Sequence, residues 1–424
     1  MNIREFLQLL DRKGLLLHIK KPVDIKYEVS TIAKQLRGKP VIFEQVKGFT
    51  MPVFSNVCAT RDLLALGLGI DKRDLIKTVA QAIEQPKEPA IIPAKDYVEL
   101  PCDLRQLPIL VHYPQDGGPY VASGMVFGKD RDYGINVSYH RGMIMGQDRI
   151  ALRIVERHLY HFMQRGLKEF AYCIGNPMPV LLSGAVSVEL GKSELWIANA
   201  LCPSPVISLS GHTVPESEIV MICEFTGEQA DEGPFLDLTE TFDIVRKQPV
   251  ARVKKIFAKT GAGFHALLPG DLEHKMLMGT PREPTIFREV AKVCECLDVY
   301  VTPGGCCWLH AVVKIRKQHE DDGLKAIEAA FKGHASMKHV FVVDEDIAIE
   351  DPFEIEWAMA TRFQGDRGLV VKPKQTGSSL DPSSDMATKQ TTKVGFDLTR
   401  PLKTTGKHFN RPVDPIKIKL EDYL

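Results

Sequence analysis

Two periodicities alternate along the chain. Over Met1–Gly14 the apolar residues Phe6, Leu7, Leu9 and Leu10 recur at helical spacing, and Val29, Ile32, Ala33 and Leu36 repeat the pattern. Leu15–Ile19, Pro40-Val-Ile-Phe43 and Met51-Pro-Val-Phe54 are short extended runs, so residues 1–110 read as an α/β domain. Pro101–Tyr120, rich in Pro, Asp and Gly, reads as a linker. From about Gly124 to Leu309 strand-like runs separated by turns dominate, among them Val180–Val188, Val206–Ser210 and Glu218–Ile222. They predict a β-rich middle domain, a barrel with helical insertions. Trp308–Ile315, an apolar helix over Gly323–Lys332 and Val340–Val343 then form a βαβ-type unit. After Lys372, Ser, Thr, Lys and Pro predict an extended arm. The expected division is 1–110, 111–309 and 310–424, an α/β (α+β) architecture.

Charge changes this picture little. Lys plus Arg and Asp plus Glu both number 54 in 424 residues, so no net field attracts nucleic acid or an anionic membrane. Anion recognition must come from local clusters. Nine Cys with no signal peptide and no paired CxxC predict reduced thiols in a cytoplasmic protein, rather than a disulfide framework or a zinc site. No run of about 18 apolar residues predicts a membrane span.

The chemistry concentrates in Asn136-Val-Ser-Tyr-His-Arg141 and Arg153-Ile-Val-Glu-Arg-His158. Gly134–Arg141 alternates as a strand does, and Arg149–His158 reads as a second strand or a short helix after the Gly146-Gln-Asp turn. A hairpin would gather Asn136, Arg141, Arg153 and His158. A neutral oxygen ligand, several guanidiniums and an imidazole suit a dianion, a metal and a carboxylate together. On the residues alone, a solvated hairpin bearing surface Arg and His is the competing reading.

Asp116-Gly-Gly-Pro-Tyr120, Asn136–Arg141, Glu232-Gly-Pro-Phe235, Val343-Asp-Glu-Asp-Ile347, Glu356-Trp-Ala-Met-Ala-Thr-Arg362 and Gly377-Ser-Ser-Leu-Asp-Pro382 follow one another in a family-specific order. In that order the chain resembles the UbiD family of flavin-dependent decarboxylases. The resemblance implies an N-terminal α/β domain, a split β-barrel middle domain that binds the flavin, and a C-terminal α/β domain for homo-oligomerisation as a dimer or hexamer. It implies prenylated FMN, supplied by a flavin prenyltransferase and held through its phosphate by manganese (Mn2+) beside potassium (K+). It assigns metal ligation to Asn136 and His158, an amide oxygen and an imidazole that manganese accepts. The third ligand should be a carboxylate. Ile222 stands at its usual position, so Glu224 is the candidate, with Glu228 and Glu218 as alternatives and a solvated strand residue as the competing reading.

The resemblance also makes Arg141 the fork that orients the substrate carboxylate, a task for a planar, permanently charged group. Flavin contacts fall to Ser138, Tyr139, His140, Arg141, Arg153, Ile154, Val155, Arg157 and His158, with Ser138 and His140 replacing the usual Gly and Tyr. Glu273 matches the proton donor, Asp271 is the alternative, and helix N-terminal acids are the competing reading of both. Within the family the chain is similar to an archaeal branch acting on a phosphorylated α,β-unsaturated acid, trans-anhydromevalonate 5-phosphate. An aromatic or polyprenyl-hydroxybenzoate substrate is the alternative, and a non-catalytic flavin-binding subunit is the alternative of another class.

Overall fold

The computed structural model describes residues 1–385 and 387–403, together with Phe409, Ile416, Ile418 and Tyr423. The end of the expected C-terminal arm lies outside these residues. The first helix, Ile3–Arg12, starts at a reciprocal cap in which Asn2 and Glu5 satisfy each other's backbone N–H, and it buries Ile3, Phe6 and Leu10. A second helix spans Glu28–Gln35. Strands Leu17–Ile19, Val41–Phe43 and Val53–Ser55 form a small sheet whose fourth member, Phe264–His265, arrives from much later in the chain. That strand pairs in parallel with Val53–Ser55 and ties the first part of the molecule to the middle one.

The middle part is one nine-stranded sheet. Its order runs from Tyr120–Val121 through Gly142–Ile144, Arg149–Leu152, Arg246–Lys259, Ile219–Glu232, Glu169–Ile174 and Met125–Asp130 to Gly134–Tyr139, with Tyr97–Leu100 added beside Arg246–Lys259. Every pairing is antiparallel, and the terminal members of the path do not pair with each other, so the sheet is not closed into a barrel by hydrogen bonds. The two longest strands cross its centre, and their inward positions Ile219, Met221, Cys223, Ala251, Val253 and Ile256 belong to one buried cluster. The expected strand at Val180–Val188 is instead the helix Met178–Ser183 followed by a turn. Every residue of that helix is buried. A continuous apolar run carries no period, and Pro179 in the first turn suits a helix start.

The C-terminal sheet has the order Glu295–Val301, His310–Arg316, His339–Asp344, Gln390–Asp397, Leu369–Thr376. His310–Arg316 and His339–Asp344 are parallel and joined by the helix Asp322–Gly333, which is the expected βαβ unit. The segment after Lys372 is not simply an arm. Leu369–Thr376 and Gln390–Asp397 are paired strands, because Val394 and Phe396 find cross-strand partners in Val371 and Leu369 that a compositional reading does not see. Two of the spaced motifs meet here. Arg362, fully buried, donates to Asp344 at 3.0 Å and to both oxygens of Asp346, at 3.0 and 2.6 Å.

Among the described residues no helix is long and apolar enough to cross a membrane, and all nine cysteines are free. Arg61, on the helix Arg61–Leu68, joins the first part to the last: it lies 2.7 Å from Glu283 and donates to the Val299 carbonyl, with both side chains buried. Burial pushes the Glu283 carboxyl up to about 7, and Arg61 opposes the shift. Removing one partner leaves the other charge buried and unpaired. Arg61→Met should therefore lower the unfolding free energy by about 3–5 kcal/mol in chemical denaturation, and a loss below about 1 kcal/mol would exclude this pair as a structural anchor.

Candidate active site

A cavity of about 950 Å³ opens between the middle sheet and the C-terminal part. Asn136, Ser138, Tyr139, His140 and Arg141 reach it from the strand Gly134–Tyr139 and the turn after it, and Arg153, Val155, Arg157 and His158 from the segment entering the helix His158–Gln164. These two segments are not one hairpin. Gly134–Tyr139 pairs with Met125–Asp130, while Arg149–Leu152 pairs with Gly142–Ile144. His140 braces them. Its Nδ1 lies 2.9 Å from the Arg153 carbonyl, which can only accept, so Nδ1 carries the proton and Nε2 accepts from the Ser138 hydroxyl at 2.9 Å. Burial pulls the imidazole down to about 4, so it is neutral at pH 7. The two departures from the usual family motif thus work as a pair.

Arg141 sits in a cluster of acids. Its Nε and Nη2 donate to the two oxygens of fully buried Glu232 at 2.8 and 3.2 Å, Nη1 to Asp237 at 3.2 Å and Nη2 to Asp243 at 3.2 Å. The guanidinium also lies over Phe235, 4.8 Å from the ring centroid. Asp243 is shared with Arg153, at 3.8 Å, and with Arg246. Three guanidiniums and three carboxylates therefore close one cluster.

The glycine-rich motif explains how Glu232 is held. A Cβ on Gly117 would fall 2.2 Å from the Gly233 carbonyl oxygen, so only glycine lets the two loops meet. Gly117 N–H donates to the Pro234 carbonyl at 2.9 Å, and the Tyr120 hydroxyl donates to Glu232 at 3.0 Å.

Two carboxylates expected in the site are elsewhere. Glu273 is fully buried but does not line the cavity. Its oxygens accept from the backbone N–H of Asn56 at 2.8 Å and of Cys58 at 3.0 Å, and His265 Nε2 stands 3.2 Å away. It joins the helix Leu272–Gly279 to the N-terminal sheet, and the next residue, His274, faces the cavity instead. Helical geometry turns neighbouring side chains about 100° apart, and one position decides which reaches the cavity. The alternative Asp271 does not line the cavity either.

Glu224 lies in the Ile219–Glu232 strand, opposite Glu169 and Arg252, and pairs with Arg252 at 3.5 Å away from the cavity. Of the alternatives, Glu218 is held by Arg4 at 2.6 Å and Glu228 by Arg149, and neither lines the cavity. Ile154 is buried, with its N–H bound to Gln248, and is likewise absent from the lining.

The carboxylate beside Asn136 is Glu194. It heads the helix Glu194–Leu201, accepts from Asn136 Nδ2 at 3.0 Å and from Val137 N–H at 2.8 Å, and is pushed up to about 8 by burial. His158 shares the lining, and burial and then Arg157 lower its pKa, leaving the neutral ring a ligand needs. No group of three or more His, Cys, Asp or Glu capable of holding a metal occurs among the described residues. Asn136, His158 and Glu194 form a mixed set, which suits a divalent cation that takes amide, imidazole and carboxylate ligands. In the sequence Glu194 is one acid before an apolar helix, with nothing to announce its burial. Asp237, two residues beyond Phe235 of a recognised motif, was the more readable signal.

Known proteins resemble this chain over nearly its whole length. Profiles of the 3-octaprenyl-4-hydroxybenzoate carboxy-lyase N-terminal, Rift-related and C-terminal domains match residues 7–83, 88–272 and 275–398. The chain belongs to the UbiD family. It is 43% identical over 409 residues to the anhydromevalonate phosphate decarboxylase of Methanocaldococcus jannaschii, covering 93% of this chain and 96% of that one. The protein of the same name from Methanothermobacter thermautotrophicus is 39% identical, covering 96% and 98%. Among solved structures, the UbiD-class enzyme HmfF from Pelotomaculum thermopropionicum in complex with FMN superposes with a TM-score of 0.94 at 34% identity, with both chains fully covered.

Glu273 should prove structural. Glu273→Gln replaces one acceptor oxygen by a donor facing a backbone N–H, and should lower stability by about 1–3 kcal/mol in thermal or chemical denaturation while kcat falls less than about threefold. A large loss of kcat with unchanged stability would return Glu273 to the chemistry.

Proposed function

We propose that this protein decarboxylates trans-anhydromevalonate 5-phosphate, an α,β-unsaturated acid, to isopentenyl phosphate and carbon dioxide, with prenylated FMN as cofactor and manganese and potassium at the flavin phosphate. The observation that carries the reaction class is the Arg141 cluster, a largely enclosed fork among three acids at the wall of one large cavity. The similarity to archaeal anhydromevalonate phosphate decarboxylases supports the substrate.

Asn136, His158 and Glu194 are the proposed metal ligands, and Arg153 and Arg157 the cations for the flavin phosphate. When bound, prenylated FMN supplies the electron sink that decarboxylation of an unsaturated acid requires. The residues of the chain do the rest. Arg141, its plane fixed by Glu232, orients the substrate carboxylate. A fourth carboxylate arriving among three guanidiniums and three acids leaves the cluster one positive charge short, and a proton meets that deficit. Asp237 lines the cavity, with its Oδ2 3.2 Å from Arg141, and returns the proton to carbon after carbon dioxide leaves. Asp243 is engaged by Arg153 and Arg246, and Glu232 does not line the cavity, so Asp237 is the acid left to move a proton.

Protein reconstituted with prenylated FMN, manganese and potassium should release carbon dioxide from trans-anhydromevalonate 5-phosphate and not from hydroxybenzoates; release from hydroxybenzoates alone would overturn the substrate reading. Asp237→Asn should lower kcat by about 10²- to 10⁴-fold with flavin content unchanged, and wild-type turnover in that variant would remove Asp237 from the mechanism. For the metal, elemental analysis of manganese-loaded protein should show near-complete loss in Glu194→Gln and wild-type content in Glu224→Gln. The reverse pattern would restore Glu224 as the ligand.

A further inference from the structure

The cavity holds more positive charge than the Arg141 cluster uses. Arg141, Arg153 and Arg246 are matched by Glu232, Asp237 and Asp243, whereas Arg282 also lines the cavity and among the described residues has no carboxylate within 4.0 Å. Its partners are neutral. Nη1 donates to the Ser187 hydroxyl at 3.0 Å and Nη2 to the Ala185 carbonyl at 3.4 Å, while Nε is buried with no partner. The guanidinium lies 5.2 Å from the centroid of Trp308, whose indole N–H is anchored on Ser378 at 3.1 Å. This arginine is therefore held in place by the indole and two neutral acceptors, with its buried Nε–H unpaired.

Burial and nearby Arg157 lower its pKa to about 10, so it remains charged at neutral pH. A guanidinium that lines a cavity with a buried, unpaired Nε–H and no acidic partner is a receptor for an anion. Ser378, Ser379 and Lys389 line the same cavity and add hydroxyl and ammonium donors.

Resting on the function proposed above, we infer that Arg282 receives the phosphate monoester of the substrate, so that the two anionic ends of one small molecule are read by two separate arginines, Arg141 for the carboxylate and Arg282 for the phosphate. A planar fork held over an indole suits a phosphate better than a mobile lysine. Arg282 would then set the preference for phosphorylated over unphosphorylated acids, while the chemistry stays with Arg141 and Asp237.

Arg282→Gln and Arg282→Lys, each loaded with flavin, test this. Arg282→Gln should raise KM for the phosphorylated acid about 10- to 100-fold and leave KM for the unphosphorylated acid unchanged, a contrast that a merely structural role would not produce. Arg282→Lys should lose less. Calorimetric affinity for isopentenyl phosphate should fall in parallel, and flavin absorbance should stay at the wild-type level. Equal effects on both acids, or none on either, would overturn the inference, as would loss of flavin, which would assign Arg282 to the phosphate of the cofactor. Should Arg282→Gln fail to fold, Arg282→Lys decides alone, and wild-type affinity for isopentenyl phosphate in that variant overturns the inference. Absence of turnover by the wild-type enzyme would instead sink the proposed function.

Discussion

The bidentate contact between Arg141 and Glu232 is the constraint around which the site is organised. A guanidinium this deep in the protein is tolerable only with its charge returned and its donors satisfied, and Glu232, itself fully buried, does both. The structure spends several local devices on keeping the two together. Gly117 permits the close approach of two loops, Tyr120 donates to the same carboxylate, and Phe235 lies against the face of the guanidinium. Asp237 and Asp243 reach Arg141 only because the loop carrying them leaves the end of the long strand that carries Glu232.

A second consequence concerns charge balance. Three arginines and three acids neutralise one another, so in the proposed reaction a substrate carboxylate would change the charge of the cluster by a full unit and would couple its own binding to proton uptake. Arg282 stands outside this balance. A half-buried cation set among a serine hydroxyl, a carbonyl and an indole, with no acid beside it, would gain from an anionic partner in the proposed reading.

The domains are less separable than the order of segments suggests. Phe264–His265 completes the N-terminal sheet, Glu273 clamps the following helix to Asn56 and Cys58, and Arg61 reaches across to Glu283. These three ties bracket the helix that presents His274 to the cavity and the short turn that presents Arg282.

The sequence by itself determined what depends on local periodicity and on spaced motifs. The first helices, the βαβ unit around Asp322–Gly333 and the segments bearing Asn136, Arg141, Arg153 and His158 were all legible, because each is encoded within a few turns or strands of chain. The continuous apolar run at Met178–Ser183 and the paired strands after Leu369 were misread, since neither an aperiodic run nor a composition states its partners. Only the tertiary structure decided which carboxylates enter the cavity. Glu194, Asp237, Glu224 and Glu273 have the same chemistry in a one-dimensional reading, and what separates them is direction. A one-residue step along a helix or strand sends a side chain to a cavity, to a backbone amide or to a neighbouring arginine.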